Sequence, residues 1–402
     1  MNNDNKRFLA FSIAVLATII FLASSLSENN IWNCPDCGKT GNKGNYCGDC
    51  GHPAPWNNIW NCPGCGKTGN KGYYCGDCGH PAPWIEENQR AAQNQEEDAL
   101  YSYEILSDGT AMITGYTGKE RQITIPAMLG GHAVTHIGNA AFSHSTSITS
   151  IAIPDGVISI GDHAFLGCAK LTNITIPDDL TIIGANAFFG CASLTNIAIP
   201  NGVTTIKAYS FFGCIKLACI TIPDSVTSIG DYAFSNCSNL TSITLSNGLT
   251  SLGHHVFSYC SKLNSIIIPN GVASIEDEAF YYCTGLTNIL IPNSVTNIGR
   301  AAFSYCSNLT SITIPDGIAS IGDDAFYYCT SLTNIIIPNS VTNIGRVAFA
   351  YCSNLATITI PDSVTNIGDY AFARCDKLTV TTDPGSYAEQ YCKAYNIPVK
   401  YK

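Results

Sequence analysis

The most regular feature of this chain is a hydrophobic pattern that returns every 23 residues from about residue 120 to residue 380. A phenylalanine, mostly preceded by alanine, marks each period: Phe142, Phe165, Phe188, Phe211, Phe234, Phe257, Phe280, Phe303, Phe326, Phe349 and Phe372. A period of about 20 to 29 residues is typical of solenoids, whose units are too short to bury an apolar face alone and therefore stack on their neighbours. The pattern predicts one core shared along the whole array.

A single repeat shows which elements this pattern predicts. Residues 309–331 read LTSITIPDGIASIGDDAFYYCTS, and the alternation over Ile312–Ile314 is typical of a short strand with one face inward. Pro315 has no backbone N–H to continue a ladder, so it ends that strand. Ile318 and Ile321 then form a second inward pair. We expect coils about 4.8 Å apart, with parallel strands on one face and irregular or short 3₁₀ segments on the other.

The consensus L-T-x-I-x-I-P-x-S-V-T-x-I-G-x-x-A-F-x-x-C resembles the BspA-type leucine-rich repeat, also called the Treponema pallidum repeat. The resemblance covers roughly residues 120 to 380, with regular 23-residue repeats over 143–380. It implies a leucine-rich-repeat solenoid. Family members are often bacterial surface proteins, and some bind host matrix proteins or other bacteria. The resemblance therefore implies a non-catalytic, adhesin-like role with a protein partner.

The amino-terminal end of the array needs a cap, because the terminal coil would otherwise expose core and sheet edge. Residues 100–142 are predicted to form this cap together with a first irregular coil. Asp108-Gly109 lies between two alternating runs, which predicts a β-hairpin. Pro126 to Val134 is longer than the matching segment of the next coil, so we expect a loop to bulge around Gly130-Gly131.

The carboxy-terminal cap is predicted over residues 381–402. Ser386 is expected to cap a short helix, with Glu389 completing a capping box. Three side chains of that helix are expected to face the last coil: Tyr387, Tyr391 and Cys392.

The segment before the repeats contains a tandem duplication, residues 29–56 and 57–84. Each copy holds two C-x₂-C knuckles, a spacing that brings four thiolates together tetrahedrally on zinc. The two predicted ligand sets are Cys34, Cys37, Cys47, Cys50 and Cys62, Cys65, Cys75, Cys78. The pattern resembles the zinc-ribbon family and predicts two structural zinc ions, since a Cys₄ site leaves no open position for catalysis. Disulfides are the alternative in an exported protein.

Residues 1–27 carry Lys6-Arg7, an apolar run over 8–22 and a small-residue end. A cleaved signal peptide and an uncleaved membrane anchor both fit this order. With the basic flank inside, the ribbons and the repeats would emerge on the far side of the membrane. We therefore expect an extracytoplasmic protein, secreted or at the cell surface, that touches the membrane only through this segment.

Charge narrows the class of partner. The net charge is −10 and charged residues make up only 12% of the chain. Residues 85–99 are polar and acidic, which predicts a linker. The repeats contain no cluster of Lys and Arg such as a nucleic-acid backbone requires, so no nucleic acid is expected as a partner.

Two stripes on the predicted solenoid could bind a protein. The residue before the repeat cysteine is tyrosine in five consecutive coils: Tyr259, Tyr282, Tyr305, Tyr328 and Tyr351. Tyrosine is enriched in recognition surfaces, although stacking that merely stabilises the coils is the alternative. The strand face is expected to be an uncharged, hydrogen-bonding array, for example Thr310, Ser311, Thr313, Thr333, Asn334 and Ile336.

Two further ladders have structural interpretations. Ten cysteines recur with the period and are expected to be buried thiols, with bridging between adjacent coils as the alternative: Cys168, Cys191, Cys214, Cys237, Cys260, Cys283, Cys306, Cys329, Cys352 and Cys375. Charges of alternating sign recur at one position and are expected to form exposed ion pairs between coils: Asp277, Arg300, Asp323, Arg346 and Asp369.

These observations favour an exported binding protein over two other classes. A periplasmic or intracellular scaffold, joining partners through the ribbons and the solenoid, is the alternative. An enzyme is disfavoured because the sequence has no P-loop, nucleophile elbow, zinc-protease helix or paired carboxylates. The histidine doublet His254-His255 has no repeated partner and is expected to be exposed.

Overall fold

The computed structural model describes Ile31–Trp32, Asn42–Lys43 and residues 98–402. The chain divides into two units, Met1–Glu97 and Asp98–Lys402. In the first unit the two short described strands pair antiparallel, with Ile31 opposite Lys43 and Trp32 opposite Asn42. All other described elements belong to the second unit, which holds the repeats.

A first ladder of parallel strands follows the I-x-I part of the repeat. Its middle isoleucine is buried while its neighbours mostly face solvent, as the alternation predicts. Within residues 98–402 these strands form four separate parallel groups, and most pairs within a group join strands 23 residues apart, for example Ile289 with Ile312. The strands are Gln122–Thr124, Ser150–Ala152, Asn173–Thr175, Cys219–Thr221, Ser242–Thr244, Asn288–Leu290, Ser311–Thr313, Asn334–Ile336, Thr357–Thr359 and Thr379–Thr382.

A second ladder runs along the A-S-I-G part of the repeat. It joins the amino-terminal cap in one sheet of 14 strands within residues 98–402. Its two-residue strands are Ser159–Ile160, Ile182–Ile183, Thr205–Ile206, Ser228–Ile229, Ser251–Leu252, Ser274–Ile275, Asn297–Ile298, Ser320–Ile321, Asn343–Ile344 and Asn366–Ile367. The predicted parallel-strand solenoid is confirmed, and this ladder adds to it. Extended backbone between stacked coils satisfies its N–H and C=O groups in its neighbours.

The third side of each coil, called here the turn face, carries the Ala-Phe segment. Its N–H groups alternate between two partners. Ser143 N–H donates within the coil to the carbonyl of Ala140 at 2.9 Å, whereas Phe142 N–H donates to Ala164 of the next coil at 2.8 Å. The expectation of irregular structure was incomplete, because half of these turn bonds link one coil to the next.

The core is a stack of phenylalanines between the three sides. Consecutive rings along the period lie 5.1–5.8 Å apart, centroid to centroid, and are nearly parallel. The glycine after the second ladder lets coils approach closely: a Cβ on Gly345 would lie 2.5 Å from the backbone nitrogen of Asp323. Close approach between coils therefore explains why glycine recurs here.

The amino-terminal cap contains the predicted hairpin, formed by antiparallel strands Tyr101–Ile105 and Ala111–Tyr116. The bulging loop expected at Gly130-Gly131 is instead a tight turn between antiparallel strands Met128–Leu129 and His132–Ile137. Both glycines have positive φ, 56° and 84°, as a two-residue hairpin turn requires.

The carboxy-terminal cap contains the predicted helix, Tyr387–Tyr395, followed by strand Val399–Tyr401. The Ser386 hydroxyl accepts the backbone N–H of Glu389 at 3.2 Å, and the Glu389 carboxylate accepts the N–H of Gly385 at 2.6 Å. Tyr391 and Cys392 are buried as expected, but Tyr387 is 40% exposed. The first turn instead buries Ala388 and Glu389, because the Glu389 carboxylate faces inward to its hydrogen-bond partners.

Candidate partner-binding surface

The predicted tyrosine stripe lies on the turn face, at a backbone position with left-handed φ. All five tyrosines have φ between 59° and 63°. In earlier coils the same position is glycine with φ of 70°: Gly167, Gly190 and Gly213. A left-handed conformation costs a non-glycine residue roughly 1–2 kcal/mol, and a bulky side chain there is uncommon. The stripe therefore occupies a position where the fold favours glycine.

The five stripe rings form a continuous row. Centroids of neighbours lie 5.3, 5.7, 5.2 and 5.8 Å apart, with ring planes tilted by 30–41°. Tyr281 and Tyr327 flank the row, and each sets its ring edge-on against two stripe tyrosines at 5.3–5.5 Å. Such aromatic pairs contribute about 0.5–1.5 kcal/mol each. Seven tyrosines thus form one cluster.

The row turns much of each ring face toward its neighbours. Tyr259, Tyr282, Tyr328 and Tyr351 remain 40–43% exposed, while Tyr305 is half-buried. Burial raises the pKa of Tyr281 to about 12, so this hydroxyl stays protonated at neutral pH. A surface of ring edges and hydroxyls combines apolar contact with hydrogen bonding, which suits a protein partner.

A charged cluster lies beside the tyrosines. The Glu278 carboxylate contacts the Arg300 guanidinium at 2.6 Å and the His255 Nδ1 at 3.1 Å. Burial lowers the pKa of His255, which also stacks on Tyr232 with centroids 4.2 Å apart. His254 is exposed as expected, whereas His255 is half-buried and partnered.

The alternating charges at Asp277, Arg300, Asp323 and Arg346 do not pair as expected among the described residues. Each aspartate accepts the backbone N–H of the arginine in the next coil, at 2.7 Å. Because that bond holds the carboxylate against the backbone, the Arg300 side chain turns to Glu278 instead.

The strand face is less polar than expected. Ile267, Leu290 and Ile336 point outward and are 81%, 68% and 69% exposed. The threonines beside them are largely committed to the coils, as Thr310 Oγ1 donates to the carbonyl of Thr287 at 3.0 Å. This face therefore offers fewer free hydrogen-bonding groups than its composition suggests.

The ten ladder cysteines are buried and unbridged in the structure, as expected. Each thiol donates to a phenylalanine carbonyl 26 residues earlier, for example Cys306 to Phe280 at 3.2 Å. Burial raises the pKa of the Cys306 thiol to about 12. These cysteines are therefore core residues, and the Cys375 thiol, whose pKa is lowered by a hydrogen bond with Cys352, is the exception to the raised values.

The eight predicted zinc ligands lie outside the described residues, as does the predicted amino-terminal membrane segment. Within residues 98–402 and the two short strands, no group of three or more His, Cys, Asp or Glu is arranged to hold a metal ion. A search of the same part of the chain finds no helix both long and apolar enough to span a bilayer.

The geometry defines a leucine-rich-repeat solenoid with an aromatic turn face. The model of the BspA type leucine rich repeat region matches residues 135–264, 181–309 and 255–379. The chain therefore belongs to the BspA-type leucine-rich-repeat family.

Several solved structures are similar to this chain. A leucine-rich repeat protein from Bacteroides ovatus is 32% identical, with a TM-score of 0.63 over 70% of this chain and 83% of that one. A leucine rich cell surface protein from Faecalibacterium prausnitzii is 33% identical, with a TM-score of 0.46 over 73% and 95%. The Treponema pallidum leucine rich repeat protein is 24% identical, with a TM-score of 0.26 over 64% and 88%. A search of curated proteins finds no match.

Proposed function

We propose that this chain is an exported, non-catalytic binding protein whose repeat unit faces outward and holds another protein against its turn face. The observation that carries the proposal is the row of tyrosines in five consecutive left-handed positions. Side chains kept at a conformational cost are concentrated at functional sites. Leucine-rich-repeat solenoids are in general binding scaffolds, with extended surfaces for partners.

The order of residues 1–27 supports export. A basic start, an apolar run and a small-residue end suit either a signal peptide or an anchor. Together with the family resemblance, this order favours an adhesin-like role at the cell surface, with a host matrix protein or another cell-surface protein as partner.

Protease shaving of intact cells tests this proposal. The full-length protein is expressed in its native host, and the repeats are detected with an antibody before and after treatment. Loss of the repeats while a cytoplasmic marker stays intact would support surface display. Protection until the cells are lysed would contradict it.

The cysteines favour a scaffold in a reducing compartment as the second candidate. Every described cysteine is unbridged, including the exposed Cys219. Free thiols and zinc-ribbon cysteines are both more common where thiols stay reduced. Protection in the shaving experiment would favour this function.

We further propose that the two ribbons each hold one structural zinc ion, through the ligand sets given above. The knuckle spacing supports this, and so does the short length of each unit, which needs metal to fold. Elemental analysis of the purified full-length protein should find two zinc ions per chain. Replacing Cys34 and Cys37 by serine should leave one, whereas a value near zero in the parent protein would contradict the proposal.

A further inference from the structure

A notch opens in the turn face where two small residues lie between larger ones. Glu278, Ala301 and Asp324 occupy the same position in three consecutive coils, 23 residues apart. Tyr281, Ser304 and Tyr327 do so at a second position. The resulting cavity has a volume of about 340 Å³. These residues line it together with Tyr259, Tyr305 and Arg300. We call this cavity the tyrosine notch.

The tyrosine notch has an imbalance of charge. Glu278 is satisfied by Arg300 and His255. Asp324 is half-buried and, among the described residues, its carboxylate has no hydrogen bond or ion pair, although Arg300 and Arg346 lie near enough to influence it. Burial raises the pKa of Asp324, which shows that its charged form is poorly solvated. A cation placed beside it would relieve that cost.

The walls suit the same kind of group. Tyrosine rings attract ammonium and guanidinium groups through their negative faces, and guanidinium also stacks on aromatic rings. Tyr281, Tyr305 and Tyr327 line the space beside Asp324, and their hydroxyl oxygens can also accept hydrogen bonds from such a group. Anions are disfavoured because two carboxylates face the cavity and only one arginine does.

We propose that the tyrosine notch receives a lysine or arginine side chain from the protein partner. This inference rests on the proposed binding function and names the chemistry of its central contact. The cavity has room for one long side chain with part of its backbone, and the flanking stripe can hold the rest of the partner segment.

The first test uses small probes on the full-length protein labelled with ¹³C in its tyrosine rings. The probes are N-acetyl-arginine methylamide, N-acetyl-lysine methylamide and the uncharged isostere N-acetyl-citrulline methylamide. We expect the arginine and lysine probes to shift the signals of Tyr281, Tyr305 and Tyr327 at millimolar concentration. The citrulline probe should bind at least about fivefold more weakly, as expected for loss of one partly desolvated charge contact. Equal shifts with all three probes would overturn the proposal.

Four variants locate the contact. Asp324→Asn should weaken arginine-probe binding about fivefold, whereas Asp316→Asn, an exposed aspartate of the same coil on another turn, should not change it. Arg300→Gln should strengthen binding, because it releases Glu278 to the probe. Ala301→Val should block binding. The variant should still fold, because Val347 occupies the equivalent left-handed position two coils later.

Unchanged binding in both Asp324→Asn and Ala301→Val would contradict the notch as the site. Probe binding does not depend on where the protein is displayed. A failed shaving experiment therefore contradicts export alone, while failed probe binding contradicts the notch alone.

Discussion

The glycine-bearing coils and the tyrosine-bearing coils of the array share one backbone and differ in the side chains at one left-handed position. Gly167, Gly190 and Gly213 have φ of 70°, and the five stripe tyrosines have φ near 60°. Because the early coils form without tyrosine, the fold does not require it there.

Aromatic rings in the two regions are also used differently. In the glycine coils the rings are half-buried, as where Phe189 stacks on Phe212 at 4.7 Å. In the tyrosine coils the row stands further out, and most of its members are exposed by 40% or more. The comparison teaches that the core is uniform along the array while the turn face is specialised in one stretch.

The largest expected effect is the loss of stability at alkaline pH, which should destabilise both regions together. Burial raises the pKa of Cys168, in a glycine coil, to about 11 and that of Cys306, in a tyrosine coil, to about 12, from an ordinary value of 9.0. The unfolded chain therefore releases these protons from pH 9 upward while the folded chain keeps them, so stability falls as pH rises from 9 to 12. Each thiol contributes a loss of about 1.4 kcal/mol per pH unit. Urea unfolding of the full-length protein from pH 8 to 11 measures this change in the free energy of unfolding.

Cys306→Val is the control for that experiment, because tyrosines and lysines also titrate in this range. The variant should be less sensitive to pH than the parent protein. Hydrogen exchange by mass spectrometry should show both regions opening together. Early opening of the tyrosine coils alone would contradict a core that is uniform along the array.

Deleting one core ring should cost the same in either region. Phe188→Ala and Phe326→Ala each remove a fully buried ring from the stack, and each should lower the free energy of unfolding by about 3–5 kcal/mol. Urea denaturation followed by circular dichroism measures both. Ile336→Thr, which places on the strand face the residue found at Thr359, should change stability by less than about 0.5 kcal/mol. A much smaller loss for one phenylalanine would mean that the two cores differ.

Much of this architecture could be predicted from the sequence because like residues stack on like residues. The period alone located the phenylalanine stack, the buried cysteines and the tyrosine row. Diagonal contacts between coils could not be found in this way. Arg300 reaches Glu278, which is 22 residues away and not 23, because Asp277 is already bonded to backbone.

The tyrosine notch escaped sequence analysis for a related reason. It depends on alternation between coils at two positions at once, Ala301 between acids and Ser304 between tyrosines. The alternation is visible in the sequence, but only the structure shows that both positions open into one cavity. The second strand ladder was missed because its two-residue strands are too short to show the inward and outward alternation of a strand.

Exchanging glycine and tyrosine between the regions should have the smallest effect on stability. Tyr305→Gly relieves a left-handed backbone cost of about 1–2 kcal/mol but loses four ring contacts of about 0.5–1.5 kcal/mol each, so the net loss should be about 2 kcal/mol, below that expected for a core phenylalanine. Gly190→Tyr should cost about 1 kcal/mol, because the equivalent position is glycine in both adjacent coils and no row of rings compensates. Urea denaturation measures both.

Tyr305→Phe separates the ring from its hydroxyl in the same experiment. It keeps the ring contacts and the backbone conformation, so its stability should match the parent protein within about 0.5 kcal/mol. Tyr305→Gly should nevertheless lose most arginine-probe binding, since it removes a wall of the tyrosine notch. A loss of stability in Tyr305→Gly as large as that in Phe326→Ala would instead show that the row exists mainly to hold the coils together.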